Sequence, residues 1–368
     1  MRAILAGGGT GGHINPAIAI ANAICEKYPD SEILFVGTKR GLEGKLVPQA
    51  GYKIEFVNVE GFFTKSVVHG AVVLGKLGAG ILKCMAKIKK FKPDVVVGTG
   101  GYASAPMLIA ASLMHIPTVI HEQNAIAGKT SKLLSKMTDR ICVAFDNKEL
   151  FGCPEKTVVT GNPIRKSFSE IDVSNAKKQL GISENLPLIL CVSGSLGSEA
   201  VNKCMTEYII RTHMEYKYQV ITVTGDFYID EVKEKLENAG VNLNGSKIQI
   251  KNYINDMEKY LAAADIIISR AGAIFLSEIA YLGKPAILIP SPNVAENHQE
   301  KNADAVVAAG AAVKICEREL TPDVLYNVVE ELINNPLKLK QMSECSAKLG
   351  IADADKKILQ TIEAITIR

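Results

Sequence analysis

The feature that most constrains this chain is its first stretch, MRAILAGGGTGGHINPAIAIANA. Arg2 to Ala6 is a short apolar run of the kind that forms a buried strand, and Pro16 to Lys27 repeats apolar residues at helical spacing. Asn15 is the expected N-cap, with Pro16 at the first helical position. Between the two lie Gly7, Gly8, Gly9, Thr10, Gly11, Gly12 and His13. Glycine lets the backbone turn sharply and approach a ligand closely, and a helix start presents unpaired N–H groups. The stretch therefore predicts a strand, an anion-binding loop and a helix. A plain tight turn would not call for so many glycines, since each one costs chain entropy on folding.

The spacing Gly7-x-Gly9-x-x-Gly12 also fits the dinucleotide pattern. That pattern needs an acidic residue at the end of the second strand to hold the ribose. The second strand, Glu32 to Val36, runs into Gly37-Thr38-Lys39-Arg40, with no carboxylate at its end. An NAD-linked enzyme is thus the second reading, and a non-catalytic nucleotide-sugar-binding module the third.

At 368 residues the chain has room for two domains, and its 47% hydrophobic and 22% charged content is that of a globular protein. A net charge of +3 is too small to point to nucleic acid as a partner. Eight cysteines are scattered without a C-x-x-C pair, and Cys25, Cys142 and Cys191 sit in apolar runs as expected buried thiols of a cytosolic protein. There is no signal-peptide pattern, and no apolar run nears the roughly 20 residues that span a bilayer.

Strand-like runs alternate with helical ones: Arg2–Ala6, Glu32–Val36, Ile54–Val59, Asp94–Gly98, Pro117–Ile120, Arg140–Val143 and Thr157–Thr160. After the turn-rich Gly161-Asn162-Pro163-Ile164-Arg165 the pattern restarts. Leu186–Val192 leads into Ser193-Gly194-Ser195-Leu196-Gly197-Ser198, and further strands are expected at Gln219–Val223, Lys247–Ile250, Asp265–Ser269, Ala286–Ile289 and Ala312–Ile315. This is the pattern of an α/β protein with two Rossmann-like domains, each opening on a strand, a glycine-rich loop and a helix. Their expected bounds are 1–163 and 164–345, with 346–368 as a terminal helix packing back on the first domain.

Loops at strand ends carry the unusual residues. Gly98-Thr99-Gly100-Gly101-Tyr102 repeats the cradle logic, and His121-Glu122-Gln123-Asn124 puts four polar side chains at a strand end, a platform for a polyhydroxylated ligand. In the second half, Ser269-Arg270-Ala271-Gly272-Ala273 opens a helix carrying Glu278, and Glu296 to Ala303 opens another. Asp353-Ala354-Asp355 matches a metal-binding D-x-D pattern, but positions i and i+2 do not face each other on a helix.

Seven stretches, taken together, resemble the MurG family of N-acetylglucosamine transferases. They are GGGTGGHINPAIA at 7–19, GTGGYASAP at 98–106, HEQNAIAGKTSKLLS at 121–135, TGNPIR at 160–165, SGSLGS at 193–198, SRAGAIFLSEIAYLGKPAILIPSP at 269–292 and ENHQEKNA at 296–303. Ser193 departs from the glycine common in the family. The resemblance implies a GT-B fold with the active site in a cleft between the domains. It further implies inverting transfer of GlcNAc from UDP-GlcNAc to the C4 hydroxyl of MurNAc in undecaprenyl-pyrophosphoryl-MurNAc-pentapeptide. On the donor side it implies Ile254 against uracil, Glu278 on the ribose hydroxyls and Ser195 at the diphosphate, with Arg165 close by. Asn124 and Gln299 would meet the sugar, and Thr10, Gly11 and Gly12 would approach the donor. Gly8, Gly9, Gly100, Gly101 and Tyr102 would cradle the acceptor's pyrophosphate. His13 is the expected general base, because histidine titrates near neutral pH and ends a cradle loop, and Glu122 is its rival.

No cofactor and no tightly bound metal are expected, UDP-GlcNAc being a substrate. The implied partners are UDP-GlcNAc, the lipid-linked acceptor, an anionic membrane surface and other cell-wall synthesis proteins, at the cytoplasmic face of the cell membrane. Val67, Ala71, Leu74, Leu77, Ile81, Met85 and Ile88 fall on one face of a continuous helix, opposite Lys65, Lys76, Lys83, Lys87 and Lys90. Preceded by Phe62-Phe63, this helix is expected to lie at the membrane interface.

Overall fold

The structure is a computed structural model that describes residues 1–59, 67–194, 196–215, 217–245 and 247–366, with backbone alone for 67–74. The chain forms two compact units, one of residues 1–164 and 353–368, the other of residues 165–352. The first unit therefore takes back only the chain from 353. Residues 346–352, expected with the terminal helix, stay with the second unit.

The first unit holds β1 (Arg2–Gly7), β2 (Glu32–Gly37), β3 (Lys53–Phe56), β4 (Val95–Gly100), β5 (Thr118–Glu122), β6 (Arg140–Val143) and β7 (Thr157–Val159). They form one parallel sheet in the order β3-β2-β1-β4-β5-β6-β7. Its helices are α1 (Gly11–Lys27), α2 (Glu43–Gln49), α3 (Val67–Phe91), α4 (Ser104–Leu113) and α5 (Lys129–Ser135). Successive strand residues face opposite sides, so both faces are buried. Ile4, Ala6, Leu34, Val36 and Val96 pack with Ile88, Met107 and Leu108 on one side. Ala3, Leu5, Phe35, Val95 and Val97 pack with Ile14, Ile20 and Ile24 on the other.

The second unit holds α6 (Ala176–Gln179), then β8 (Leu188–Val192), α7 (Glu199–Thr212), β9 (Gln219–Val223), α8 (Ile229–Asn238), β10 (Ile248–Lys251), α9 (Met257–Ala263) and β11 (Ile266–Ser269). It continues with α10 (Ala273–Tyr281), β12 (Ala286–Leu288), α11 (His298–Ala308), β13 (Ala312–Lys314), α12 (Pro322–Ile333) and α13 (Pro336–Leu349). The sheet order is β10-β9-β8-β11-β12-β13, again all parallel. The last helix, α14 (Ala354–Thr366), belongs to the first unit, where Ile358, Leu359 and Ile362 complete the α1 side of the core. Tyr28 donates to Glu363 at 2.6 Å, and Lys27 pairs with the same carboxylate at 2.6 Å.

Four expectations change in the folded chain. The first helix starts at Gly11, not Pro16, because the Thr10 carbonyl already accepts the N–H groups of His13 and Ile14 at 3.1 and 3.2 Å. Thr10 is the N-cap, and Pro16 lies inside α1. Cys25 is half-buried, whereas Cys142 and Cys191 are buried and their thiols are pushed up to about 12 by desolvation. On α3, Ile81, Met85 and Ile88 pack into the core, so this stretch of the apolar face is turned inward. An amphipathic helix has the same periodicity whether its apolar face meets a sheet or a lipid. Phe62, Phe63 and Lys65, and the side chains of Val67, Ala71 and Leu74, lie outside the described residues. Finally, a carboxylate does reach the end of β2: that of Glu43, returned by α2.

Candidate functional site

In an open parallel sheet, ligands bind at the strand C-termini where the strand order reverses. In the first unit that place is between β1 and β4, and in the second between β8 and β11. The two glycine loops of the first unit lie there side by side. Gly8 N–H donates to Gly100 O at 3.3 Å, and Thr99 Oγ1 donates to His13 O at 2.8 Å. Gly100 and Gly101 have φ of +107° and +80°, and a Cβ on Gly101 would collide with the Gly8 carbonyl. Only glycine fits that approach. Tyr102 follows on the surface, 59% exposed.

Glu43 lies fully buried beneath this loop. Its carboxylate accepts Gly9 N–H, Thr38 N–H and the Thr38 hydroxyl, each at 2.8 Å. Burial works to raise its pKa, and these hydrogen bonds outweigh burial and hold it below the ordinary value. Side chains at Gly8, Gly37 or Gly41 would strike it. The Glu43 oxygens are thus spent on the loop, so they do not offer a ribose the acid of a dinucleotide site. Gly9 N–H is also taken, while among the described residues no acceptor claims the N–H groups of Thr10, Gly11 and Gly12. Sequence reasoning misses Glu43. Its signal is an acid flanked by glycines within a basic turn, legible only once α2 is folded under β2.

His13 lies in the first turn of α1, half-buried, with Nδ1 3.0 Å from Thr99 O and 3.3 Å from Gln123 Oε1. Among the described residues no partner claims its Nε2. The polar run after the fifth strand divides. His121 and Glu122 are the last residues of β5, and with Gln123 they are buried. Glu122 accepts Asn124 N–H at 3.3 Å, the Asn124 amide at 3.2 Å and Gly128 N–H at 3.2 Å. Its oxygens thus hold the turn from 124 to 128, and Asn124 is half-buried beside it. The ring of His121 is desolvated, which drives its pKa down to about 4 against the opposing pull of its Gly161 hydrogen bond.

In the second unit, Ser195 lies outside the described residues. The loop around it is backed by Arg270, which follows β11 and to which the sequence alone assigns no role. Its guanidinium donates to Ser198 Oγ at 2.5 Å and to Ile289 O at 3.0 Å, and pairs with Glu317. A cation is thus fixed beside the N-cap of α7, where negative charge is favoured. The Gln299 side-chain oxygen accepts Ala271 N–H at 3.2 Å and Ser291 N–H at 2.9 Å, tying two strand-end loops together. A second group gathers Glu278, Arg165 and the 252–256 loop. Arg165 lies 3.3 Å from Glu278 and 3.6 Å from Glu258, and donates to Asn255 O at 3.4 Å, next to the buried Ile254. Burial pushes the Glu278 carboxyl up to about 7, against the pull of Arg165. Among the described residues no cluster of three or more His, Cys, Asp or Glu side chains is arranged to hold a metal ion.

Residues 3–143 match the glycosyltransferase family 28 N-terminal domain, and residues 188–358 its C-terminal domain. A protein of Acetivibrio thermocellus is 43% identical over 366 residues, covering 99% of this chain and 98% of its own. One of Caldanaerobacter subterraneus is 43% identical over 367 residues and 100% of both chains. Both are named UDP-N-acetylglucosamine–N-acetylmuramyl-(pentapeptide) pyrophosphoryl-undecaprenol N-acetylglucosamine transferase. The crystal structure of Acinetobacter baumannii MurG superimposes with a TM-score of 0.80 at 27% identity over 99% of each chain. The UDP-GlcNAc 2-epimerase of Neisseria meningitidis shares the fold, with a TM-score of 0.69 at 16% identity over 99% of this chain and 100% of its own. With two parallel-sheet α/β units in the GT-B pattern and full-length relatives of that name, the chain belongs to the MurG family of glycosyltransferases.

Proposed function

We propose that this chain transfers GlcNAc from UDP-GlcNAc to the C4 hydroxyl of MurNAc in the undecaprenyl-pyrophosphoryl-MurNAc-pentapeptide acceptor, with His13 as the base. The observation that carries this reading is the His13 ring, pinned between two glycine loops with Nδ1 held and Nε2 unclaimed among the described residues, in a chain 43% identical to transferases named for that reaction. Nε2 takes the proton of the C4 hydroxyl as its oxygen attacks the anomeric carbon. The bond from that carbon to UDP breaks on the opposite side, its electron pair leaving with the diphosphate, so the configuration inverts. Glu122 is the weaker candidate for the base, since three donors already occupy its oxygens.

Glu278 receives the ribose hydroxyls, Ile254 lies against the base, and Arg165 and Ser195 meet the diphosphate. Asn124 and Gln299 hold the sugar. Charge on the departing UDP is stabilised by helix N-terminal N–H groups and by cations, Arg270 added to Arg165 among them. The N–H groups of Thr10, Gly11 and Gly12 meet phosphate oxygens of the substrates, and Gly8, Gly9, Gly100, Gly101 and Tyr102 shape the cradle of the acceptor's pyrophosphate. Because the acceptor is lipid-linked, the enzyme works at the cytoplasmic face of the membrane, as a peripheral protein.

The test is substitution of the base. His13→Ala and His13→Gln are expected to keep UDP-GlcNAc affinity and lose about 10²–10⁴-fold in turnover, the usual contribution of a general base. The acid limb of the pH–rate profile should flatten in both. A His13→Gln enzyme that turns over within a few-fold of wild type and keeps that limb removes His13 from the role.

A further inference from the structure

The side chains behind His13 form one directed chain of hydrogen bonds. It starts at Gly161 O, a carbonyl that can only accept, 3.1 Å from His121 Nε2. His121 therefore carries its proton on Nε2, and its Nδ1 is left as an acceptor. Gln123 Nε2 lies 2.9 Å from that Nδ1, 3.0 Å from Thr99 O and 3.0 Å from His121 O. Three acceptors surround this end of the amide, so it is the NH2 end. A flipped amide would set its oxygen against all three. The oxygen end consequently faces His13 Nδ1, as does Thr99 O. Both neighbours of Nδ1 can only accept, so His13 carries its proton there and keeps the lone pair on Nε2. Isolated histidine prefers the opposite arrangement.

We propose that Gln123 is a positioning residue for this reaction, locking His13 in the tautomer whose Nε2 can take a proton, with His121 as its buried anchor. The proposal rests on the reading of His13 as the base. Burial supports it: Gln123 is 2% exposed and His121 1%, and the Asn162 amide donates to Gln123 O at 3.2 Å. Desolvation keeps His121 neutral through the physiological range, so the direction of the chain does not reverse. Gly100 completes the seat, since a Cβ there would lie 2.5 Å from His13 Nδ1.

The experiment is long-range proton–nitrogen NMR on the ¹⁵N-labelled full chain, with the His13 signals identified by their loss in His13→Gln. Wild type is expected to have His13 protonated on Nδ1 and bare on Nε2. Gln123→Met keeps side-chain length without the amide, and Gln123→Asn keeps the amide but is too short to span His13 and His121. In both, the Nδ1 proton keeps only Thr99 O as acceptor, so a fraction of His13 should pass to the Nε2–H tautomer, and kcat should fall about tenfold or more, within the 10²–10⁴ that a general base contributes. KM for the acceptor and the Kd of UDP-GlcNAc should stay close to wild type. A wild-type His13 protonated on Nε2 overturns the proposal without any variant. So does a folded variant of either kind that retains the single tautomer and the wild-type kcat. Failure of the base reading is separable: there His13→Gln turns over normally, whatever tautomer Gln123 imposes.

Discussion

Glu278 concentrates the electrostatics of the second unit in one side chain. It lies on α10, 6% exposed, with Arg165 its only cation among the described residues. Desolvation wins over that partner, and its pKa stands at about 7 where an exposed glutamate has 4.5. The folded state thus prefers the protonated form, and stability contributed by this group is present below about 4.5 and lost as pH rises through about 7. Donor binding runs the other way. If the ribose hydroxyls donate to the ionised carboxylate, as proposed, UDP-GlcNAc affinity should rise with pH, by up to about tenfold per unit below the pKa, and level off above it. Calorimetric titration across that range should give the slope in wild type and a flat line in Glu278→Gln. Glu278→Ala should weaken the donor by about 1.5–3 kcal/mol, the scale of a charged hydrogen bond. Equal affinity at all pH values in wild type would remove the ionised carboxylate from donor binding.

Between elements, the close approach of the β1 and β4 loops is the demanding feature. Gly101 combines a φ of +80° with contact against the Gly8 backbone, whereas Gly152 has a φ of +67° and open space around it. The comparison separates two costs. Gly152→Ala should lose only the left-handed penalty, about 1–2 kcal/mol. Gly101→Ala should lose clearly more, because the loops must part, and acceptor turnover should fall with them. Denaturant unfolding of the two variants checks this, and equal losses would mean that the loops yield freely. The strands bounding these loops are legible in the sequence because parallel strands buried on both faces read as unbroken apolar runs ended by glycine. The start of α1 is not, since Thr10 O captures the His13 and Ile14 amides ahead of Asn15 and Pro16.

At the scale of the whole molecule, a net charge of +3 conceals two unlike bodies. Lys and Arg outnumber Asp and Glu in residues 1–164 and 353–368, and the reverse holds in 165–352. The outward face of α3 carries exposed Leu82, Lys83, Lys89 and Lys90, and Lys39, Arg40 and Lys45 are exposed near the first glycine loop. Each cation close to an anionic surface contributes about 1 kcal/mol and is screened by salt. The full chain should therefore bind vesicles containing anionic lipid at low ionic strength and leave them as salt is added. Equal binding to neutral vesicles at every salt concentration would count against an electrostatic contact.

By itself the sequence determined the two parallel-sheet units, their strand order of appearance, the glycine loops and His13, because local periodicity and glycine placement need no knowledge of distant partners. The tertiary structure alone decided three matters. It turned Ile81, Met85 and Ile88 of α3 inward, since an apolar face meets whatever surface the fold brings to it. It carried Glu43 back under Gly9, where chain reversal through α2 puts an acid against the loop. And it joined His13 to Gln123, a bond that exists only because β1, β4 and β5 lie side by side. A hydrogen bond between residues far apart in sequence leaves no periodic trace, so only the packed strands reveal which nitrogen of His13 is free.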